Sequence, residues 1–433
     1  MFDRANLSNL LSPKAWLLRS VFWGGAVVVG LTAVLFALGA QLANECFRWV
    51  LAISPWLAFI VMPAGLALNT WIARTFFAGS QGSGIPQTIA ALKAQDLNQL
   101  GGLLSLRITV GKIALTLMAL TCGASVGREG PTVQIGASIM YSLRRFSRFS
   151  YQDELQGLII AGGAAGVAAA FNTPLAGIAF AIEELSRSFE QRTNGLVLTA
   201  VIFAGLAANA VLGNYTYFGT VSTSLGPAVG WAAVILCGTT GGLAGGLFSR
   251  LLIVASGGWR GIVGSWIHKH PILLAALCGA ILAVLGTLSG HHTYGTGYEE
   301  VRDILANGNS GYPAYGIYKF LATLVSYLSG IPGGIFAPSL AVGAGFGASL
   351  SHLLPFVPAS SVIVLGMVAY FSGVTQAPLT TFIIVMEMTD NHSIVLPLMA
   401  TALIAHGVSK VICAEPLYKT LAENYLRRLD PRS

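Results

Sequence analysis

Three short loops hold residue types from which an anion site can be built. In Val126-Gly127-Arg128-Glu129-Gly130-Pro131 two opposite charges stand side by side between glycines, while residues 113–126 before the pair and 132–143 after it carry none. Charge in so apolar a setting is costly and marks a functional site by default. Pro131 suits the first position of a helix, because its missing N–H would lack an intrahelical partner there. Glu129 is therefore expected on irregular backbone just ahead of a helix, where N–H groups and the helix dipole favour negative charge. Gly82-Ser83-Gly84-Ile85-Pro86 offers a hydroxyl between two glycines, and Gly334-Ile335-Phe336-Ala337-Pro338 offers exposed N–H groups ahead of another proline. The chemistry is that of a titratable carboxylate tethered where hydroxyls and amides hold an anion. Two structural readings compete with it: Arg128–Glu129 as an ion pair, and Ser83 as a turn residue that caps a helix.

The elements that position these loops must lie in a membrane. Of 433 residues 54% are hydrophobic and 9% charged, where a soluble domain carries about 25% charged residues. This predicts an all-α polytopic membrane protein. The net charge of +7 is read as Lys/Arg excess on cytoplasmic segments; no nucleic-acid partner is expected. Five scattered cysteines without a CxxC pair read as buried, inert thiols. His268/His270 and His291/His292 lack accompanying ligands at metal spacing, so neither metal nor cofactor is expected, and the chain is not expected to be an enzyme. Arg4, Lys14 and Arg19 precede a first apolar run over 21–44, which predicts a cytoplasmic amino end. Lys419, Arg427, Arg428 and Arg432 predict a cytoplasmic carboxyl end, and Arg144, Arg145 and Arg148 a cytoplasmic loop. Residues 92–98 read as a polar connector, and Glu299-Glu300 as part of a solvated loop. Residues 113–126 and 132–143 are too short to cross about 30 Å of hydrocarbon. Residues 155–182 are interrupted by Gly162, Gly163, Gly166 and Asn172-Thr173-Pro174. Residues 320–386 carry no charge and have length for about three crossings. Such segments, with 52 glycines, predict discontinuous helices that meet at mid-membrane.

The two halves of the chain match. Lys112-Ile-Ala-Leu-Thr-Leu117 resembles Lys319-Phe-Leu-Ala-Thr-Leu324 (319 − 112 = 207), and Pro131 aligns with Pro338 at the same offset. Asn172-Thr-Pro-Leu175 aligns with Gln376-Ala-Pro-Leu379, and Glu183 with Glu387 (387 − 183 = 204). The expected division is a cytoplasmic segment 1–20, membrane repeats 21–220 and 221–418, and a cytoplasmic tail 419–433. Opposed repeats would aim two helix N-termini at one point, with Glu129 and Phe336 in equivalent places.

With all three loops in order, the chain resembles the CLC family of chloride channels and proton-coupled chloride transporters. The resemblance extends to Phe171-Asn172-Thr173-Pro174-Leu175, Glu183-Glu184 and Glu415-Pro416-Leu417-Tyr418, and spans roughly residues 21–425. It implies an antiparallel inverted-repeat fold with broken, re-entrant helices, and a homodimer in the inner membrane with one pore per subunit. It assigns the Ser83 and Tyr418 hydroxyls and the Ile335 and Phe336 N–H groups to a central chloride. Gly82, Gly84, Gly127, Arg128, Gly130 and Gly334 supply the loop backbone. Glu129 would be the external gate and proton acceptor, and Glu184 the internal proton-transfer carboxylate. Ser83, where nitrate-preferring members tend to have proline, favours chloride, and a chain without a large regulatory domain fits a prokaryotic member. The implied activity is exchange of chloride for protons; the alternative is a passive chloride channel, in which Glu184 delivers none. Blander readings stand beside these: Tyr418 as an interfacial aromatic anchor and Glu184 paired with Arg187 along a helix. A neutral-solute pore built on Asn172-Thr173-Pro174 and Gln376-Ala377-Pro378 would leave Glu129 unexplained.

Overall fold

A computed structural model describes residues 13–94, 97–145, 152–186, 191–213, 215–223, 225–226, 230–257, 261–307 and 314–429. Arg4, Arg148, Arg187 and Arg432, and the side chains of Lys14, His268 and Arg428, lie outside these. The described residues form helices joined by irregular loops. The first half contains α1 (Pro13–Ile53), α2 (Ala58–Thr75), α3 (Ile85–Lys93), α4 (Leu97–Leu103), α5 (Leu106–Thr121), α6 (Glu129–Ser142), α7 (Gln152–Phe171), α8 (Pro174–Phe180) and α9 (Gln191–Leu212). The second contains α10 (Gly230–Ser256), α11 (Gly261–Lys269), α12 (Pro271–Leu288), α13 (Tyr298–Asn307), α14 (Tyr315–Leu328), α15 (Phe336–Ser351), α16 (Ala359–Thr375), α17 (Pro378–Thr389), α18 (Val395–Ile412) and α19 (Leu417–Leu429).

Seven helical stretches among the described residues are long and apolar enough to cross a membrane. One of them, Gln99–Thr121, replaces the short segment expected at 113–126. Lys112 does not bound a helix: it lies inside α5, fully buried, with Nζ donating to the carbonyls of Ser80 (2.6 Å) and Gly82 (2.8 Å). With the Gln81 carbonyl at 3.5 Å as a third acceptor, the ammonium can sit where an unpaired one could not. Nor do Gly162, Gly163 and Gly166 interrupt α7. Gly162 and Gly166 admit the backbone of α6, with Gly136 and Gly162 each standing where the other has no room for a side chain, and Gly163 makes room for Leu185; small residues allow this approach. The break comes at Asn172, whose φ is +57°. The uncharged stretch 320–386 is divided among α14 to α17, of 14, 16, 17 and 12 residues, shorter than the seven long apolar stretches. α3 and α4 leave almost nothing of the connector expected at 92–98. Glu299 and Glu300 open α13 rather than lie in a loop.

The inverted repeat is visible in matched details. Gly127 and Gly334 exchange two N–H···O bonds of 2.7 Å, an antiparallel bridge that joins the halves. Gly343 packs on Gly366 as Gly136 packs on Gly162. Gln376 repeats the +57° φ of Asn172, and Pro174 and Pro378 each start a helix. Glu183 then accepts the N–H groups of Leu379 (3.1 Å) and Thr380 (2.6 Å). Glu387 accepts those of Leu175 (3.1 Å) and Ala176 (2.8 Å). Each broken helix is thus capped by a carboxylate from the other half, where the helix dipole favours it. Lys319 holds the carbonyls of Thr293 (2.9 Å) and Gly295 (2.8 Å) as Lys112 holds those of Ser80 and Gly82. This makes Gly295-Thr296-Gly297 the counterpart of Gly82-Ser83-Gly84 (295 − 82 = 213), a match not seen in the sequence comparison.

Candidate anion and proton site

The bridge between Gly127 and Gly334 sets the N-termini of α6 and α15 face to face. Arg128 and Ile335 occupy the cap positions, Glu129 and Phe336 the first helical positions, and the prolines the third. This corrects the expectation that Pro131 begins the helix and that Glu129 stands ahead of it. The early N–H groups of a helix have no intrahelical acceptor, and a proline at the third position contributes none. What remains at each end is three amides, on Arg128, Glu129 and Gly130 and on Ile335, Phe336 and Ala337.

The Glu129 side chain is fully buried and lies at this junction. Its Oε2 occupies the place that a Cβ on Gly127 would take, against Ala337 and Pro338, and the amides of Glu129 and Ala337 face the carboxylate. Oε1 accepts a hydrogen bond from the Tyr217 hydroxyl at 3.3 Å. Arg128 Nε lies 3.8 Å from Oε1, a long ion pair, with its guanidinium 6.0 Å from the Tyr217 ring centre. The ion pair of the alternative reading is therefore present, at long range, but amides of two helix ends face the carboxylate as well.

Ser83 and Tyr418 are buried at 1% and 0% exposure, which removes Tyr418 from any membrane interface. Their hydroxyls are neighbours, yet neither makes a hydrogen bond of good geometry. Ser83 does not cap α3; Gly84 does, its N–H bonded to Gln87 Oε1 at 3.0 Å. Ser83 Oγ instead fills the space left by the absent Cβ of Gly130. Lys112 draws the carbonyls of Ser80 and Gly82 to itself, which keeps acceptor oxygens off the hydroxyl side of the loop. Phe336 packs among Phe371 (ring centres 4.8 Å apart), Tyr418 (6.0 Å), Phe171 and Phe180 (both 6.1 Å). Ile335 is buried beside it.

Glu184 comes from a π-helical turn, Ala181–Ser186, that continues α8. Such turns are rare and gather at functional sites. Here the turn sends successive carboxylates different ways: Glu183 to the α17 cap, and Glu184 to a void it lines with Phe180, Phe336, Thr380 and Tyr418, too narrow to admit water. A larger cavity of about 370 Å³ reaches Arg128 and Tyr217, with Glu45, Arg48, Glu300 and Arg302 also in its walls. Among the described residues no group of three or more His, Cys, Asp or Glu is placed to hold a metal.

Residues 64–410 match the family described as voltage gated chloride channel. The chain belongs to this CLC family. It is 31% identical over 454 residues to the H(+)/Cl(-) exchange transporter ClcA of Vibrio vulnificus, covering 98% of this chain and 94% of that one. It is 31% identical over 394 residues to the Citrobacter koseri ClcA, covering 88% and 81%. Its fold matches that of a slow cyanobacterial Cl-/H+ antiporter with a TM-score of 0.79 at 27% identity, over 95% and 99% of the two chains. It shares the fold of a eukaryotic CLC transporter with a TM-score of 0.77 at 22% identity, over 94% of this chain and 74% of that one.

In this CLC chain, sequence reasoning missed three participants. Lys112 and Lys319 were seen only as repeat markers, although a buried lysine ahead of a glycine-rich loop in both halves was the available signal. Gly295-Thr296-Gly297 was legible as a second Gly-hydroxyl-Gly triplet. Tyr217 had no signal: it follows α9 in an irregular segment, and nothing in its neighbours points to Glu129.

Proposed function

We propose that this chain exchanges chloride for protons across the membrane, as a transporter rather than an enzyme. The reading rests above all on one observation: the Glu129 carboxylate occupies a position between two helix N-termini, where an anion is best stabilised. A bound chloride and an ionised Glu129 exclude each other there. Protonation removes the charge that those amides hold, so the side chain leaves and chloride enters. Ionisation brings it back. Ser83 and Tyr418 supply two buried hydroxyls with no protein acceptor, and the Ile335 and Phe336 amides complete a chloride site of partial charges. Neutral donors suit a transported ion, which must leave as readily as it binds. Gly82, Gly84, Gly127, Gly130 and Gly334 let the three loops close on this point, and Arg128 faces the larger cavity. Glu184 is the internal proton carrier, and the dry void beside it separates it from the central hydroxyls until water or a side-chain rotation bridges them.

The names of the bacterial relatives support exchange over passive conduction. The same reading takes the repeats as 21–220 and 221–418, flanked by cytoplasmic segments at 1–20 and 419–433. It takes the molecule as a homodimer in the inner membrane with one pore per subunit. Both termini are cytoplasmic, so the 370 Å³ cavity, lined by the far end of α1, opens outward. Reconstituted Glu129→Ala tests the assignment: chloride flux is expected to persist while proton movement falls to background. Coupled proton movement in that variant would refute the gate role.

A further inference from the structure

Tyr217 is the one side chain among the described residues that hydrogen-bonds the Glu129 carboxylate, and it is held for that task. It is 4% exposed. Its ring is fixed by Phe218 and Tyr298, each 4.9 Å away, and by Phe171 at 5.8 Å. The segment around it is pinned to both broken helices. Asn172, at the α7–α8 break, donates from Nδ2 to the Tyr215 carbonyl at 2.8 Å. The N–H groups of Phe218 and Val221 bond the carbonyls of Met388 and Thr389, both at 2.9 Å, at the end of α17. Tyr217 also lines the 370 Å³ cavity, so it stands between the buried carboxylate and the space it would move into.

We propose that Tyr217 is a positioning residue for the exchange: its hydroxyl latches ionised Glu129 in the blocking position and releases it on protonation. The inference rests on the gate role of Glu129. A phenol donates more strongly to a carboxylate than to a neutral acid, so the latch discriminates between the two states of the gate. The charged and titratable groups facing Glu129 are Arg128, from its own helix cap, Tyr217 and Tyr215. Those facing Tyr217 are Glu129, Arg128, Tyr215 and Tyr298. The first turn of α15 brings amides and no titratable group. The hydroxyl also meets Arg128; its loss weakens the ionised gate and leaves the neutral gate nearly as it was.

Tyr217→Phe keeps the ring packing and removes only the donor. In liposomes holding the full chain, chloride flux is to be followed against external pH for wild type, Y217F, E129A and Y217F/E129A. The Y217F half-point is expected to move to higher pH by about one unit, a tenfold change in gate equilibrium. Chloride binding by the detergent-purified variant near neutral pH is expected to tighten about fivefold to tenfold, since its competitor is held less firmly. The pH shift must vanish in the E129A background. An unshifted or acid-shifted Y217F profile, or unchanged chloride affinity, overturns the latch. A profile in E129A as steep as wild type overturns the gate role of Glu129 instead.

Discussion

A Cβ on Gly127 would fall on Glu129 Oε2. Gly127 has no positive φ, so alanine fits its backbone, and the strain of Gly127→Ala falls on the gate rather than on the loop. This variant is expected to raise chloride flux at alkaline pH several-fold and to lower the number of protons moved per chloride. An unchanged ratio would mean that Oε2 is not held where it is described. Ser83→Ala removes one of two hydroxyls from the proposed chloride site. A hydrogen bond to a charged group contributes about 1.5–3 kcal/mol, so affinity measured by calorimetry should fall at least tenfold, with the fold intact. At this scale much was legible. Gly127-Arg128-Glu129-Gly130-Pro131 located the carboxylate, because charge in an apolar run has few explanations. Its orientation was not legible, since that depends on the bridge to Gly334, two hundred residues away. The turn-by-turn placement of Pro131 was off by two positions for the same reason: the helix begins where the partner loop allows.

At the scale of elements, the reciprocal caps carry the expectation. Glu183 and Glu387 each hold two N–H groups at the start of the other half's broken helix. Glu183→Gln and Glu387→Gln should therefore destabilise the protein by similar amounts, about 1–3 kcal/mol each, seen as lowered melting temperatures in detergent. Strongly unequal losses would argue that the two caps are not equivalent. Sequence patterns found the broken helices through their prolines, but misjudged α5 and α7. Lys112 and the α7 glycines look like boundaries in a linear reading. In the fold the lysine is solvated by carbonyls and the glycines are contact points, and both facts belong to partners distant in sequence.

Across the whole molecule, two carboxylates stand on either side of the Phe336 cluster: Glu129 at the helix ends and Glu184 on the π turn. Glu184→Gln is expected to abolish proton coupling while leaving most of the chloride flux, measured side by side in the same vesicles. Normal coupling in E184Q would remove Glu184 from the proton route. The two routes would then share only the region of Ser83, Phe336 and Tyr418, where chloride passes and the void is dry.

Proton-coupled exchange is tested most directly by liposomes that hold the purified wild-type chain and a chloride load. External chloride and pH are recorded together while an ionophore sets the voltage. Exchange predicts that chloride efflux drives protons inward, so the external medium turns alkaline even against an opposing proton gradient. Chloride efflux with no movement of protons would contradict it.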